Sequence, residues 1–367
     1  MEDQYRIDGH KLNFHPHRVV NFLDNKNTWE TAKKIYPIYV EVSPVGACNH
    51  RCTFCAVDYI GYKPVRLNEN IICERITEMA TLGVKSIMFA GEGEPLLHKK
   101  INEIVSHTKN AGIDVAFTTN ATLMNERFVN QSLQHCSWIK TSINAGSPSS
   151  YANIHQCKES DFDLVVRNLT RAVKEKRNRD LDVVLGAQAV LLPENAAEMR
   201  DLTLLCRDVI GLDYLVIKPY SQHLSSNTKI YQHINYSDFD TVAEQIAGMS
   251  TDKFSVIYRE KTAQKHDNAG SDRYCKCNAT PFFWAYIMAD GSVYGCSAYL
   301  LDDRFNYGNL SMQSFKEIWE GERREQNYQF VTKELDIKEC RINCRMDEVN
   351  RYLDDLVEAK TTHVNFI

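Results

Sequence analysis

The 367-residue sequence has no hydrophobic run approaching the roughly 18 apolar residues that a membrane-spanning helix needs. Its opening, MEDQYRIDGHKLNFHPH, lacks the apolar centre of a secretory signal, so a cytoplasmic location is the expectation and a membrane is not an expected partner. There is no excess of positive charge either: 43 Lys and Arg stand against 48 Asp and Glu, a formal net charge of −5. No overall field exists to hold a nucleic-acid backbone, and nucleic acid too is excluded from the expected partners. Proline is scarce, at 9 residues, and neither a fixed-period repeat nor a low-complexity segment occurs, which argues against a solenoid or a disordered chain. With 43% apolar residues the chain can bury a sizeable core as one large α/β domain with an appendage, or as two domains.

What the sequence does have is twelve cysteines. In a chain of this length without a signal they do not read as a disulfide framework, because a reducing compartment leaves thiols free for metals or catalysis. Cys48, Cys52 and Cys55 form one cluster; Cys275, Cys277, Cys296, Cys340 and Cys344 fall in the last quarter; Cys73, Cys136, Cys157 and Cys206 stand alone. The apolar neighbours of Cys73 and Cys206 mark both as small core residues, and Cys136, ending a helix, reads the same way.

Between about 36 and 219, short β-rich runs alternate with amphipathic stretches. The runs are 35–42, 86–90, 113–119, 138–144, 181–190 and 214–218; the helical stretches are 69–82, 99–111, 125–136, 162–176 and 195–210. Asn68 and Asp161 sit where N-caps would, and Gly83 and Gly112 follow two helices as stops. Six strands alternating with five helices imply a parallel sheet with right-handed crossovers, either a closed or partly open β/α barrel or a doubly wound sheet. In each case the loops leaving the C-terminal strand ends carry the chemistry. Residues 223–272 are polar and weakly patterned. After them PFFWAYIMADGSVYGC predicts a hairpin turning at Asp290-Gly291, followed by helices near 315–320 and 347–356. The expected organisation is an N-terminal extension over 1–34, a barrel over 35–225, and a linker with a C-terminal cysteine-bearing domain over 226–367. The apolar tail His363–Ile367 is expected to dock on the body.

Cys48-Asn-His-Arg-Cys52-Thr-Phe-Cys55 follows the first predicted strand directly, so three soft ligands project from one strand-end loop. A zinc loop would want a fourth Cys or His at finger-like spacing; an iron–sulfur cluster with three protein ligands and one open iron suits the count better. The CxxxCxxC spacing, with an aromatic before the last cysteine, resembles the radical S-adenosylmethionine (SAM) superfamily. That resemblance implies a partial (β/α)6 barrel and a [4Fe–4S] cluster held by Cys48, Cys52 and Cys55, with SAM chelating the open iron. Ala90-Gly91-Glu92-Gly93-Glu94-Pro95, one βα unit later, looks like the family's Gly-Gly-Glu-Pro segment, which binds the amino group of SAM. The resemblance further implies cofactor contacts from Gly91, Glu92, Gly93 and Glu94, from Ser142 and Asn144 at the fourth strand end, and from Gln188 on the fifth.

Cys277, thirteen residues, Gly291, four residues and Cys296, then Cys340 and Cys344, resemble the SPASM and twitch subgroup of that superfamily. Two cysteines in place of the longer SPASM run imply a twitch-like domain with one auxiliary [4Fe–4S] cluster on Cys277, Cys296, Cys340 and Cys344. Cys275 fits the first spacing equally well, and tetrahedral zinc on four thiolates is the other reading of the site. Lys218 and Tyr220 to His223, after the sixth strand, are candidates to face the substrate, and Cys157 for a thiol hydrogen donor. The resemblance implies an oxidoreductase or related radical enzyme, with a flavodoxin or ferredoxin as reductant. Residues 1–34 are too few for a leader-peptide-binding domain, so the expected substrate is a small polar molecule: a sugar, cyclitol or nucleotide sugar undergoing dehydrogenation or epimerisation. Peptide or protein maturation is the alternative, and a non-catalytic iron–sulfur electron carrier a lesser one.

Overall fold

The computed structural model describes residues 4–267, 273–358 and 362–366. Six strands form where the alternating runs predict them: β1 (Tyr39–Val42), β2 (Ser86–Phe89), β3 (Asp114–Thr119), β4 (Cys136–Ser142), β5 (Val184–Leu191) and β6 (Tyr214–Pro219). Each pairs in parallel with the next. Successive side chains take opposite faces of the sheet. Val40, Val42, Ile87, Phe89, Val115 and Phe117 enter the main core, which the helices share. On the other face Met88, Ala90 and Ala116 pack with Tyr39 and Trp138, and Tyr214, Val216 and Ile257 pack with Tyr5, Ile7 and Val184. These apolar residues fill one end of a lumen.

The covering helices include Glu69–Thr81, Ile101–Asn110, Glu126–Ser132 and Ser160–Asn178. Asn68 caps the first, its side chain accepting from the backbone N–H groups of Asn70 and Ile71. Gly83 and Gly112 end two of them at φ +94° and +83°, backbone that suits glycine. Asp161 departs from expectation. It lies inside the first turn of Ser160–Asn178, and its carboxylate reaches instead to His50, Oδ2 to Nε2 at 3.4 Å. An unexpected helix, Pro148–His155, precedes that one.

The sheet continues past β6. β7 (Ser255–Tyr258), from the stretch read as weakly patterned, adds in parallel to β6, while β8 (Trp284–Ile287) adds in parallel to β1 at the other side. The predicted hairpin joins β8 to β9 (Ser292–Tyr294) through Gly291 at φ +88°, and β10 (Asn306–Asn309) completes it. Among the described residues, the order β10-β9-β8-β1-β2-β3-β4-β5-β6-β7 gives one ten-stranded mixed sheet with two free edges. It is therefore a partial barrel, neither closed nor doubly wound, since the helix-covered core and the lumen lie on opposite faces.

The N-terminal residues are knitted into the C-terminal part. Leu12, Val19, Phe22, Trp29 and Ile35 share a core with Phe282, Phe283, Tyr328 and Leu353. Arg324, fully buried, stacks 4.1 Å from the Trp319 ring and donates to the carbonyl oxygens of Trp319 (2.6 Å), Pro281 (3.2 Å) and Ile35 (3.3 Å). The tail does not dock: Val364 and Phe366 are exposed, and Ile367 lies outside the described residues. Two apolar side chains on so short a segment bury too little to offset its ordering entropy.

Candidate active site

The C-terminal strand ends surround a cavity of about 380 Å³ lined by Cys48, Cys52 and Cys55, by Gly91, Gly93 and Glu94, and by Ser142 and Gln188. The cysteine loop is held from two sides. Backbone N–H groups of Arg51 and Thr53 donate to the carbonyls of His155 (3.1 Å) and Ile154 (2.9 Å), and the Arg51 guanidinium donates to those of Cys48 (2.6 Å) and His50 (2.7 Å). On the other side the glycine turn presses against the loop. A Cβ on Gly93 would lie 2.3 Å from the carbonyl oxygens of Val45 and Ala47, and the Glu94 N–H donates to Ala47 at 2.9 Å. Only glycine allows that approach.

Glu94 is buried and accepts from the Thr119 hydroxyl (2.6 Å) and from the backbone N–H groups of Asn120 (2.8 Å) and Leu96 (3.0 Å). Thr119 and Asn120 thus act by fixing this carboxylate. Two expected cofactor contacts turn away from the cavity. Glu92 points at the C-terminal hairpin, where Oε1 accepts from the Ala289 N–H at 2.8 Å; burial, with Asp290 nearby, pushes its carboxyl up to about 7. It follows Gly91 on an extended turn, so its side chain leaves the face that Gly91 and Gly93 present. Asn144 is fully buried and used internally, because the chain turns inward after Ser142. The Val190 N–H donates to its Oδ1 at 2.6 Å, which orients the amide so that Nδ2 donates to His155 Nε2 at 3.1 Å. That leaves the proton of the neutral imidazole on Nδ1, 3.4 Å from Cys52 Sγ. Strand β5 is thereby linked through two side chains to a candidate cluster ligand. Sequence reasoning missed His155, whose helix it also missed; no spacing rule connects it to Cys52. Cys157 does not line the cavity, and the core places of Cys136 and Cys206 hold.

A second cavity of about 310 Å³ is lined by Cys277, Cys296, Cys340 and Cys344. Cys275, by contrast, is exposed and lines neither cavity. Donors face three of the four sulfurs: Asn350 Nδ2 at 3.5 Å from Cys277, Tyr299 Oη at 3.4 Å from Cys340 and Tyr274 Oη at 3.7 Å from Cys344. Arg273 holds the last cysteine loop through the carbonyls of Ile337 (2.8 Å) and Cys340 (3.0 Å). Such donors suit thiolates that carry charge into a cluster.

Burial pushes the Cys48 thiol up to about 11, with Glu94 and Cys55 adding to the rise, and pushes Cys52 well above the ordinary range, with Cys55 and Cys48 adding. Cys344 is likewise pushed up to about 12 by burial and by Cys277. Thiolates packed this way ionise together when a cationic centre is among them. The spacing bears on a zinc centre. Four sulfurs at 2.3 Å from one zinc ion stand only about 3.8 Å apart. Among the described residues, the ligand sets within 4.8 Å of one another are His50, Cys52 and His155, and His50, Cys157 and Asp161; no three cysteines of either site are so close. As they stand, no three sulfurs of either site are close enough to share one zinc ion.

Comparison with known proteins agrees. Residues 42–206 match the model of the radical SAM superfamily. The chain belongs to the radical SAM superfamily. Residues 275–345 match an iron–sulfur cluster-binding domain, SPASM, which places the chain in the SPASM/twitch subgroup, with [4Fe–4S] clusters and SAM as cofactors. It is similar to GTP 3′,8-cyclase of Chlorobaculum tepidum, 38% identical over 24% of this chain and 27% of that one. It is also similar to dTDP-4-amino-4,6-dideoxy-D-glucose ammonia-lyase of Streptomyces venezuelae, 26% identical over 49% of this chain and 39% of that one. The chain therefore spans well under half the length of these curated relatives. In fold it resembles Streptococcus suis SuiB bound to S-adenosylmethionine, with a TM-score of 0.65 and 16% identity over 88% of this chain and 72% of that one. No helix among the described residues is long and apolar enough to cross a membrane.

Proposed function

We propose that this radical SAM enzyme abstracts a hydrogen atom from a small polar substrate, a sugar, cyclitol or nucleotide sugar, in a dehydrogenation or epimerisation. The observation that carries the reading is the shared wall of the two cysteine cavities: Gln188, Lys218, Arg259, Ser297, Arg341, Asn343 and Arg345 line both. A small molecule held there lies between the two thiol sets, and the apolar end of the lumen excludes water beneath it.

Cys48, Cys52 and Cys55 would hold the SAM-binding cluster, and Cys277, Cys296, Cys340 and Cys344 the auxiliary one, with Cys275 left over. When bound, the first cluster and SAM supply a 5′-deoxyadenosyl radical. The backbone of Gly91 and Gly93 lets the cofactor approach, and Ser142 and Gln188 offer hydrogen bonds from the neighbouring strands. Glu94, its own bonds satisfied, shapes the turn. Lys218 and Tyr220 to His223 remain the substrate-facing candidates, of which Lys218, Tyr220, Ser221 and His223 line the first cavity. A flavodoxin or ferredoxin would deliver the electron.

The named substrates of the sequence relatives, a nucleotide and a nucleotide sugar, support the small-molecule reading. SuiB, similar in fold alone, has been solved bound to precursor peptide SuiA, so peptide maturation is the competing outcome. The test is anaerobic reconstitution to about eight irons per chain, followed by dithionite, SAM and panels of nucleotide sugars and of peptides. Deoxyadenosine stimulated by a nucleotide sugar supports the proposal; stimulation by peptides alone overturns it, as does the absence of deoxyadenosine with both clusters intact.

A further inference from the structure

Six cationic side chains line the cavity that borders the auxiliary cysteines: Lys140, Lys218, Arg259, Lys265, Arg341 and Arg345. Three have carboxylate partners. Arg345 Nε lies 2.9 Å from Glu41, Arg259 Nε 3.0 Å from Asp8, and Lys265 Nζ 2.6 Å from Asp347 with Glu348 closer still. The other three do not. Lys140 and Lys218 have neither an ion pair nor a hydrogen bond among the described residues, and Arg341 donates only to the Ser221 carbonyl at 2.8 Å, leaving its buried Nε without a partner.

The lysines belong to the lumen by register. Lys140 on β4 is opposite Gly186, and Lys218 on β6 is opposite Val190; positions 186, 188 and 190 of β5 share one face, so both lysines flank Gln188 on the inner side. Their strongest charged neighbours are mostly one another and Arg259 and Arg345, with Glu41 beside Lys140, and no cysteine is among them. Burial and these cations lower the Lys140 ammonium to about 7 and hold that of Lys218 well below its ordinary value. Partly buried cations without a counter-charge favour an anion that joins them. SAM cannot be that anion, because its sulfonium and ammonium outweigh its single carboxylate. Arg341 adjoins the auxiliary thiolates, which offset part of its charge; Lys140 has Glu41, already paired with Arg345, and the Trp138 ring at 5.8 Å, whereas the charged neighbours of Lys218 are all cations.

We propose that the substrate carries a phosphate or diphosphate group, seated between the two cysteine sites by Lys140 and Lys218 with Arg341 at its edge. The proposal rests on the small-substrate reading above and narrows it to phosphorylated molecules such as nucleotide sugars. A phosphate dianion supplies the charge that a neutral sugar or cyclitol lacks, and ammonium groups bind it as point charges without demanding a forked geometry.

The test uses the reconstituted full chain saturated with SAM, titrated calorimetrically with pyrophosphate, with UDP and with a tri-glutamate peptide. Saturable binding of pyrophosphate and UDP is expected, weakened about tenfold or more by Lys140→Gln and by Lys218→Gln and kept within about threefold by Lys140→Arg and Lys218→Arg. Iron content and SAM affinity are measured on the same preparations. Absence of saturable pyrophosphate binding below about 10 mM overturns the proposal, as does unchanged affinity in the glutamine variants or tighter binding of the peptide. If the glutamine variants lose iron, the arginine variants decide: retained binding supports the site and lost binding overturns it. Failure to form deoxyadenosine while pyrophosphate binding still follows the lysines would sink the proposed chemistry and leave the anion site standing.

Discussion

The two cysteine sites of this protein are built in opposite ways. Cys48, Cys52 and Cys55 come from a single loop that leaves β1, and the chain around them is pinned by neighbours within the barrel. Cys277, Cys296, Cys340 and Cys344 come from three separate segments spread over the last quarter of the chain, brought together by a hairpin that joins the barrel's own sheet. A local site carries its ligand set in its spacing, whereas an assembled site does not, since short local grips leave the choice among nearby thiols to the fold.

Mutations break that comparison most visibly at the ligands. Cys52→Ala is expected to abolish deoxyadenosine formation, by about a thousandfold or more, and to remove about half of the iron, because a two-thiolate cluster is labile. Iron assay and product chromatography on the same sample check it; retained SAM cleavage would contradict the assignment. In the assembled site, Cys277→Ala is expected to drop iron to about four atoms per chain, whereas Cys275→Ala leaves about eight. Equal loss in the two variants would mean that Cys275 ligates after all.

A smaller effect separates the ligands from their support. His155→Phe removes a donor to Cys52 Sγ while all three thiols stay. The reduction potential of the SAM-binding cluster is expected to fall by about 50 mV, read by redox-monitored EPR, because hydrogen bonds to cluster sulfur favour the reduced, more negative state. An unchanged potential would make the histidine a packing residue only.

The smallest effect tests the seam between the two sites. Glu92 ties the glycine turn to the hairpin through Ala289, and its carboxyl is raised to about 7, first by burial. A raised acid binds its proton more tightly in the folded state. Its contribution to stability is thus greatest at low pH, declines as pH rises through the interval between the unfolded value and about 7, and is flat above. Glu92→Gln keeps the acceptor and removes the ionisation, so it is expected to stabilise the fold by about 1–3 kcal/mol at pH 8, read as a raised Tm, and by less at pH 6. A larger gain at pH 6 than at pH 8 would refute the sign.

Much of the barrel was legible because its strands are apolar on the helix-covered face and its helices carry caps, as at Asn68, or stops, as at Gly83. β7 was not: four residues in a polar neighbourhood carry too short a pattern, and only pairing with β6 makes Ser255–Tyr258 a strand. Asp161 reads as a cap from its residue type, yet His50 recruits it across the fold. The cysteine loop and the glycine turn were readable as neighbouring strand-end features, but not that Glu92 and Asn144 would be spent on internal bonds while Gly91, Gly93, Glu94, Ser142 and Gln188 reach the cavity.

By itself the sequence determined the periodicities and the cysteine spacings, and with them the superfamily, the barrel strands and the cofactor type, since these depend on residues close together along the chain. The tertiary structure alone decided that Cys277 rather than Cys275 faces the other thiols, that His155 supports Cys52, and that Lys140 and Lys218 share a lumen without carboxylate partners. The physical reason is range. Backbone preference and side-chain alternation act over a few residues, but burial, hydrogen-bond partnership and net charge inside a cavity are properties of atoms that the chain brings together only when it folds.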